Sequence, residues 1–309
     1  MLKASVLMAA SLLGASGLAA AQPDYFPLQP GNQWVYRASR GDGFTVEVAE
    51  ARTVADRTYY VTRGLGSSDV WLRESDDGTV YAYDSTTGKE TVWAAFSTAD
   101  GQRYSSSIDP CNPSATIRSH SARADVALGQ YDSLLAIDYP AGQCADAGLT
   151  SELYLAYIGL VQRTRTTIAG PVVYDLIYAH LGGTEVVAPE LSFTLGLDRP
   201  VYPPGGQAVA RLTLRNTAAG ALTLTFPSGQ RYDVAIRDSR NVEVYRWSAG
   251  KAFTMIFGTM DVAGEKTWTV PFPLAGQDGK PLPAGSYIVE AWLATQPPAY
   301  RGQVQVEIE

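Results

Sequence analysis

The sequence predicts an all-β protein: a curved antiparallel sheet or half-barrel in the N-terminal part, followed by an immunoglobulin-like β-sandwich. Three observations carry this. Apolar and polar residues alternate with period two in many short runs, such as Leu212/Leu214, Leu222/Leu224/Phe226, Tyr232/Val234/Ile236 and Val242/Val244. Turn chemistry separates the runs, as at Asp77-Gly78, Pro227-Ser228-Gly229 and Asp238-Ser239-Arg240-Asn241. Beyond the N-terminal segment no long apolar pattern of helical period occurs.

The N-terminal segment has the parts of a secretory signal. Lys3 precedes an apolar run from Ala4 to Leu18, and small residues Ala19-Ala20-Ala21 follow. The run is too short for a stable membrane span. Residues 1–21 therefore read as a signal peptide cleaved near Ala21, and the mature chain as secreted or periplasmic. The 288 residues left (309 minus 21) exceed the size at which one core keeps growing, so two domains are expected. Their boundary falls where Gly182-Gly183-Thr184 and Pro189 interrupt periodic segments, giving units 22–187 and 190–309. With 18% charged residues and a formal net charge of -7, the chain has no basic stripe for nucleic acid or an anionic membrane surface. Cys111 and Cys144 are the two cysteines. In an exported chain such a pair is expected to bridge, stabilising by about 3–4 kcal/mol through closure of a loop of about 34 residues.

Along the chain, Pro27, Pro30 and Gly31 keep the lead-in non-helical, and Trp34 and Tyr36 open the first strand. Strands follow at Phe44–Glu50, Arg57–Arg63, Asp69–Glu74, Thr79–Asp84 and Glu90–Phe96, with a tight hairpin at Asp77-Gly78. Ser105–Pro113, rich in serine and proline, reads as an irregular loop that the disulfide ties to Gln143–Asp146. Leu134–Tyr139 and Glu152–Ile158 are strands. A hairpin starting at Gly159 turns at Ala169-Gly170-Pro171 and returns through Val172–Leu181. The second unit opens with Phe193, Leu195 and Leu197 in alternation, broken by Pro200–Gly206. After the central runs come Trp268-Val270-Phe272, a turn at Gln277–Lys280, and strands Tyr287–Leu293 and Gln303–Ile308. Eight or nine strands in this unit fit an immunoglobulin-like sandwich, without the cysteine pair of antibody domains.

Three phrases of the second unit carry a family resemblance: Leu214-Arg215-Asn216, Phe226 to Asp233, and Glu243 to Ser248 with Lys251 and Phe253. They resemble the BsuPI family, whose namesake is described as an intracellular proteinase inhibitor. The resemblance implies a sandwich fold and makes a protease the first partner to consider. Tyr25–Tyr36 and Tyr157–Ala179 resemble the two ends of a module found in uncharacterised exported β proteins of the bacterial envelope. That likeness implies location and fold, and no chemistry.

Few residues suggest catalysis. The two histidines, His120 and His180, lie far apart in sequence, and His120 sits between Ser119 and Ser121, which a strand would turn to the opposite face. With two histidines and two cysteines expected to be oxidised, no metal or cofactor site is expected. Asp76-Asp77-Gly78 is too short for a calcium loop, and Gly64-Leu65-Gly66 lacks the lysine of a phosphate loop. Aromatic residues are the richer signal. Tyr81/Tyr83, Tyr154/Tyr157 and Tyr174/Tyr178 either line a concave sheet for a lipid or other apolar ligand or form the core. Tyr245, Trp247, Ser248 and Phe253 form a second cluster, read either as structural or as a partner-binding site. Trp247 is expected to turn inward at the end of its strand and cover the open end of the sandwich. The leading functional reading is a non-enzymatic protein-binding protein, with Pro200–Gly206 and Ser248–Thr254 as candidate inhibitory loops. A carrier or sensor is the alternative, and an envelope hydrolase the least favoured.

Overall fold

The computed structural model describes residues 22–142, 144, 146–296 and 298–309. The expected signal peptide with its cleavage point, and Gln143 and Ala145, lie outside the described residues. The described chain is all-β and contains no helix, hence none long and apolar enough to cross a membrane.

Thirteen strands form one antiparallel sheet. They are β1 (Gln33–Ala38), β2 (Phe44–Val54), β3 (Arg57–Arg63), β4 (Val70–Glu74), β5 (Thr79–Asp84), β6 (Lys89–Ala95), β7 (Arg103–Asp109), β8 (Asn112–Val126), β9 (Gly129–Asp138), β10 (Gly148–Leu155), β11 (Gly159–Thr166), β12 (Val172–Leu181) and β13 (Thr184–Val187). Sequential strands meander from β1 to β6 and from β7 to β12, and β1 pairs β12. The end strands β6 and β7 then meet across a seam that nearly closes the sheet. Among the described residues no ladder crosses the seam. Instead the hydroxyls of Ser106 and Ser107 donate to the carbonyls of Trp93 (2.7 Å) and Val92 (2.9 Å).

The enclosed side is filled by buried side chains, among them Trp34, Tyr36, Val46, Leu72, Val80, Ile117 and Tyr154. The lead-in plugs one end. Phe26 stacks on Trp34 at 5.4 Å, and Tyr25 packs against Phe96. The indole N–H of Trp34 donates to the Ile158 carbonyl at 2.6 Å, so burying the ring leaves no donor unpaired.

Two expectations are corrected here. Ser105–Pro113 is not an irregular loop: it spans most of β7, a two-residue turn and the start of the 15-residue β8. Register shifts between Ile117 and Ser119, Ser119 and Ala122, and Ala122 and Ala124 break the period-two pattern that would have revealed β8. Gly182-Gly183 is not a linker. It turns the chain from β12 into β13, which pairs back on β12, and the chain leaves the sheet only at Ala188–Glu190.

The remaining strands are β14 (Leu191–Leu197), β15 (Val201–Tyr202), β16 (Gln207–Asn216), β17 (Leu222–Phe226), β18 (Tyr232–Arg237), β19 (Glu243–Arg246), β20 (Gly258–Val262), β21 (Gly264–Pro273), β22 (Gly285–Leu293) and β23 (Ala299–Ile308). They form a three-stranded sheet β14-β16-β21, a five-stranded sheet β15-β23-β22-β18-β19 and a pair β17-β20. Ala208, Leu212, Val270 and Phe272 of the first face Val234, Ile236, Val289 and Val306 of the second in one buried core, the sandwich the alternation predicts. Val242 departs from the pattern. It is 52% exposed, because β19 begins one residue later, after the turn closed by Asp238. The two parts of the molecule touch where Tyr178 of β12 packs against Tyr300 of β23 at 4.8 Å and Arg37 pairs with Glu190.

Candidate functional site

After β19 the chain turns at residues 247–250 and runs without regular structure from Lys251 to Phe257 before entering β20. The turn is closed by the N–H of Ala249 on the Arg246 carbonyl and the N–H of Lys251 on that of Ser248. Gly250 has φ +76°, which a residue with a Cβ adopts only with strain.

Two of the phrases singled out in the sequence build the seat of this segment. Asp233 is buried in β18. It accepts the N–H of Ser248 at 3.1 Å and the Ser248 hydroxyl at 2.5 Å, and Arg246 lies 3.5 Å from it. Tyr232 packs on Trp247 at 4.9 Å, and Phe253 covers Trp247 from another side at 6.0 Å. The Lys251 ammonium lies 3.3 Å from the centre of the indole. Gly229 donates its N–H to the Thr254 carbonyl at 2.8 Å, and a Cβ there would lie 2.5 Å from the Thr254 hydroxyl, which would have to rotate away. Arg231 stacks on Phe226 and donates to the Ser228 carbonyl, fixing the bend beneath Thr254.

Trp247 thus goes partly inward: it is half-buried on the core, with one flank on Tyr232 and Phe253. Ser248 and Phe253 belong to the same seat. Tyr245 is turned another way and stacks on buried Phe272. Sequence reasoning missed the residues that follow. Met255, Ile256 and Phe257 are 87%, 67% and 63% exposed, three large apolar side chains in a row on a segment held at its base. The signal available was an apolar triplet that follows a turn and breaks the alternation.

The other candidate loop, Pro200–Gly206, is pinned. Its β15 pairs in parallel with the end of β23, and Tyr202 is buried with its hydroxyl on Asp198 at 2.6 Å. Burial and then the Asp198 bond push the Tyr202 phenol up to about 12.

The six tyrosines, read either as the lining of a concave face or, by preference, as core, do not share one groove. Tyr154 and Tyr178 are core. Tyr154 and Tyr139 both donate to Oε2 of the buried Glu152 at 2.7 Å, while Arg163 takes Oε1. Burial, then the nearby carboxylate, holds both phenols well above their ordinary range. Tyr174 packs edge-on to Phe44, and Tyr157 is 66% exposed. Tyr81 and Tyr83 lie on the outer side, against Arg73 and against Tyr59 and Trp71.

The histidines are each tied to a carboxylate. His120 places Nδ1 on Asp100 at 2.5 Å and Nε2 on the Phe96 carbonyl at 2.8 Å, so both ring nitrogens are occupied and neither serves a serine. His180 bonds Glu185 at 2.6 Å. Among the described residues no group of three or more metal-ligating side chains converges. Cys111 and Cys144 are bridged, with Cα atoms 5.3 Å apart.

Comparison with known proteins gives one family. Residues 195–298 match the BsuPI family, described as intracellular proteinase inhibitor. The match spans the seat of the 248–257 segment. No curated protein is similar to the chain. Among solved structures, a CARDB domain from Pyrococcus furiosus is similar over 39% of this chain and 89% of its own, at 13% identity and a TM-score of 0.24. The alkylpurine DNA glycosylase AlkC of Pseudomonas fluorescens is similar over 40% of this chain and 31% of its own, at 15% identity and a TM-score of 0.27. The sporulation control protein Spo0M of Bacillus subtilis covers 39% of this chain and 49% of its own, at 15% identity and a TM-score of 0.21.

Proposed function

We propose that this chain is an exported, non-enzymatic protein that binds a protein partner through the segment 248–257, and that the partner is a protease. One observation carries the reading: Met255-Ile256-Phe257 is displayed on a base fixed by Asp233, Trp247 and Gly229. An inhibitory loop has to meet an active cleft with apolar anchors and little freedom left to lose, since ordering a mobile loop on binding costs affinity. The family match adds the class of partner. Export rests on the composition of residues 1–21 and on the disulfide, which persists in oxidising compartments. The inhibitor family is described as intracellular, so the compartment of the target is the point on which this chain departs from it.

The test is titration of the purified chain against serine, cysteine and metalloproteases under limiting enzyme. At least one protease is expected to be inhibited at near-stoichiometric ratio. Met255→Asp with Ile256→Asp is expected to weaken that inhibition about 100-fold or more, as loss of central apolar anchors does, while leaving the thermal transition in place. Inhibition by no protease, or undiminished inhibition by the double variant, refutes the proposal.

A further inference from the structure

A cleft of about 1020 Å³ separates the β1–β2 loop from the outer side of β17. Asp42 and Phe44 lie on one wall, Ala221, Thr223 and Thr225 on the other, and Phe257 at the rim. β17 has one ladder partner, β20. The carbonyl of Thr225 turns away from β20 and accepts the N–H of Gln296 at 3.0 Å. Alternate residues of a strand direct their main-chain groups to the same side, so Thr223 aims both its N–H and its C=O into the cleft. Its hydroxyl is engaged elsewhere, on Asp261 at 2.6 Å. Thr223 therefore offers the cleft main chain.

Gln296 takes one end of this edge and Thr223 leaves the rest open, and an open stretch of strand edge is a template for one more strand. We propose that the cleft is a second binding site, which takes an extended polypeptide segment as an added strand along the outer edge of β17. The chemistry selects the occupant: a polypeptide carries alternating N–H and C=O groups at the strand repeat, and a lipid tail does not. The cleft volume is at the upper end of the range for small-ligand pockets, room for a short extended segment. The β17 wall is small and uncharged, and Phe257 supplies an apolar contact at one end. The favoured segment is thus uncharged where it meets β17, with an aromatic or aliphatic side chain over Phe257. This site shares Phe257 with the displayed triplet but not Met255 or Ile256, and does not depend on protease binding.

The test uses phage-displayed linear octapeptides selected on the full chain. A selected peptide is synthesised unmodified and in two forms, N-methylated at either set of alternate residues. One methylated form is expected to lose at least tenfold in affinity and the other to keep it, because only one set faces β17. Thr223→Pro removes the edge N–H and is expected to cost at least tenfold, whereas Met255→Asp with Ile256→Asp leaves peptide affinity unchanged. Hydrogen exchange on the unaltered chain, which does not require the proline variant to fold, is expected to show new protection at residues 221–225. The proposal is overturned if no octapeptide is selected, if both methylated forms bind alike, or if protection appears only at 251–257. Self-association abolished by Thr223→Pro would also overturn it, by assigning the edge to a second copy of the chain.

Discussion

Glu152 is fully buried, yet each of its oxygens has partners: Tyr139 and Tyr154 on one, Arg163 on the other. Removing the arginine strands a carboxylate in a low-dielectric interior. Arg163→Met is therefore expected to cost about 3–5 kcal/mol in chemical denaturation. Adding Glu152→Leu should return most of that loss, less the cost of two tyrosine hydroxyls left without an acceptor. Glu74 is different. It is half-buried beside Asp24, with Tyr60 and Arg73 in the same small cleft. Burial first and Asp24 second push its carboxyl up to about 7. The folded state then holds a proton that the unfolded chain has already released. Stability is expected to fall as pH rises between about 4.3 and about 7 and to level off above. Roughly 1–2 kcal/mol is at stake once partial exposure is discounted. Denaturation of Glu74→Gln at pH 5 and pH 8 checks this: the variant should lose most of the difference.

At the scale of elements, the disulfide joins the β7–β8 turn to the β9–β10 loop, and the surrounding contacts are built around it. Asn112 donates to the Pro140 carbonyl and accepts the Leu149 N–H. A Cβ on Gly142 would fall 1.5 Å from the Cys111 carbonyl oxygen. Replacing both cysteines by serine is expected to lower stability by about 3 kcal/mol, read as a lower denaturation midpoint that reductant no longer changes. Where turn residues bound a strand the sequence marks its ends well: β3, between Asp56 and Gly64, and β5, after Asp77-Gly78, run over the residues the sequence predicts. β8 was hidden because its bulges reset the period and its exposed positions include Arg118, Ser121 and Arg123, and β20 because glycine and threonine precede its single buried valine. The seat of the 248–257 segment was half legible. Trp247, Ser248 and Phe253 could be named from the aromatic-then-turn pattern. Asp233 and Gly229 needed the strand pairing that brings residues far apart in sequence together.

At the scale of the molecule, we propose that residues 22–187 and 190–309 are separable, joined by the short span 188–190. Limited proteolysis is expected to cut there and leave a stable fragment beginning near Glu190. Expressed alone, residues 190–309 should fold with a cooperative transition but lose about 1–3 kcal/mol, because Tyr300 no longer has Tyr178 to cover it. An unfolded 190–309 chain would show instead that the two cores need each other. The large sheet carries a further consequence at its seam. A ladder shares an applied load among many main-chain bonds, whereas β6 and β7 are laced by serine hydroxyls on two neighbouring carbonyls. Pulled apart by handles on these two strands, the ring should rupture first at this lacing, at low force, and open as a twisted ribbon while every ladder from β1 to β12 still holds.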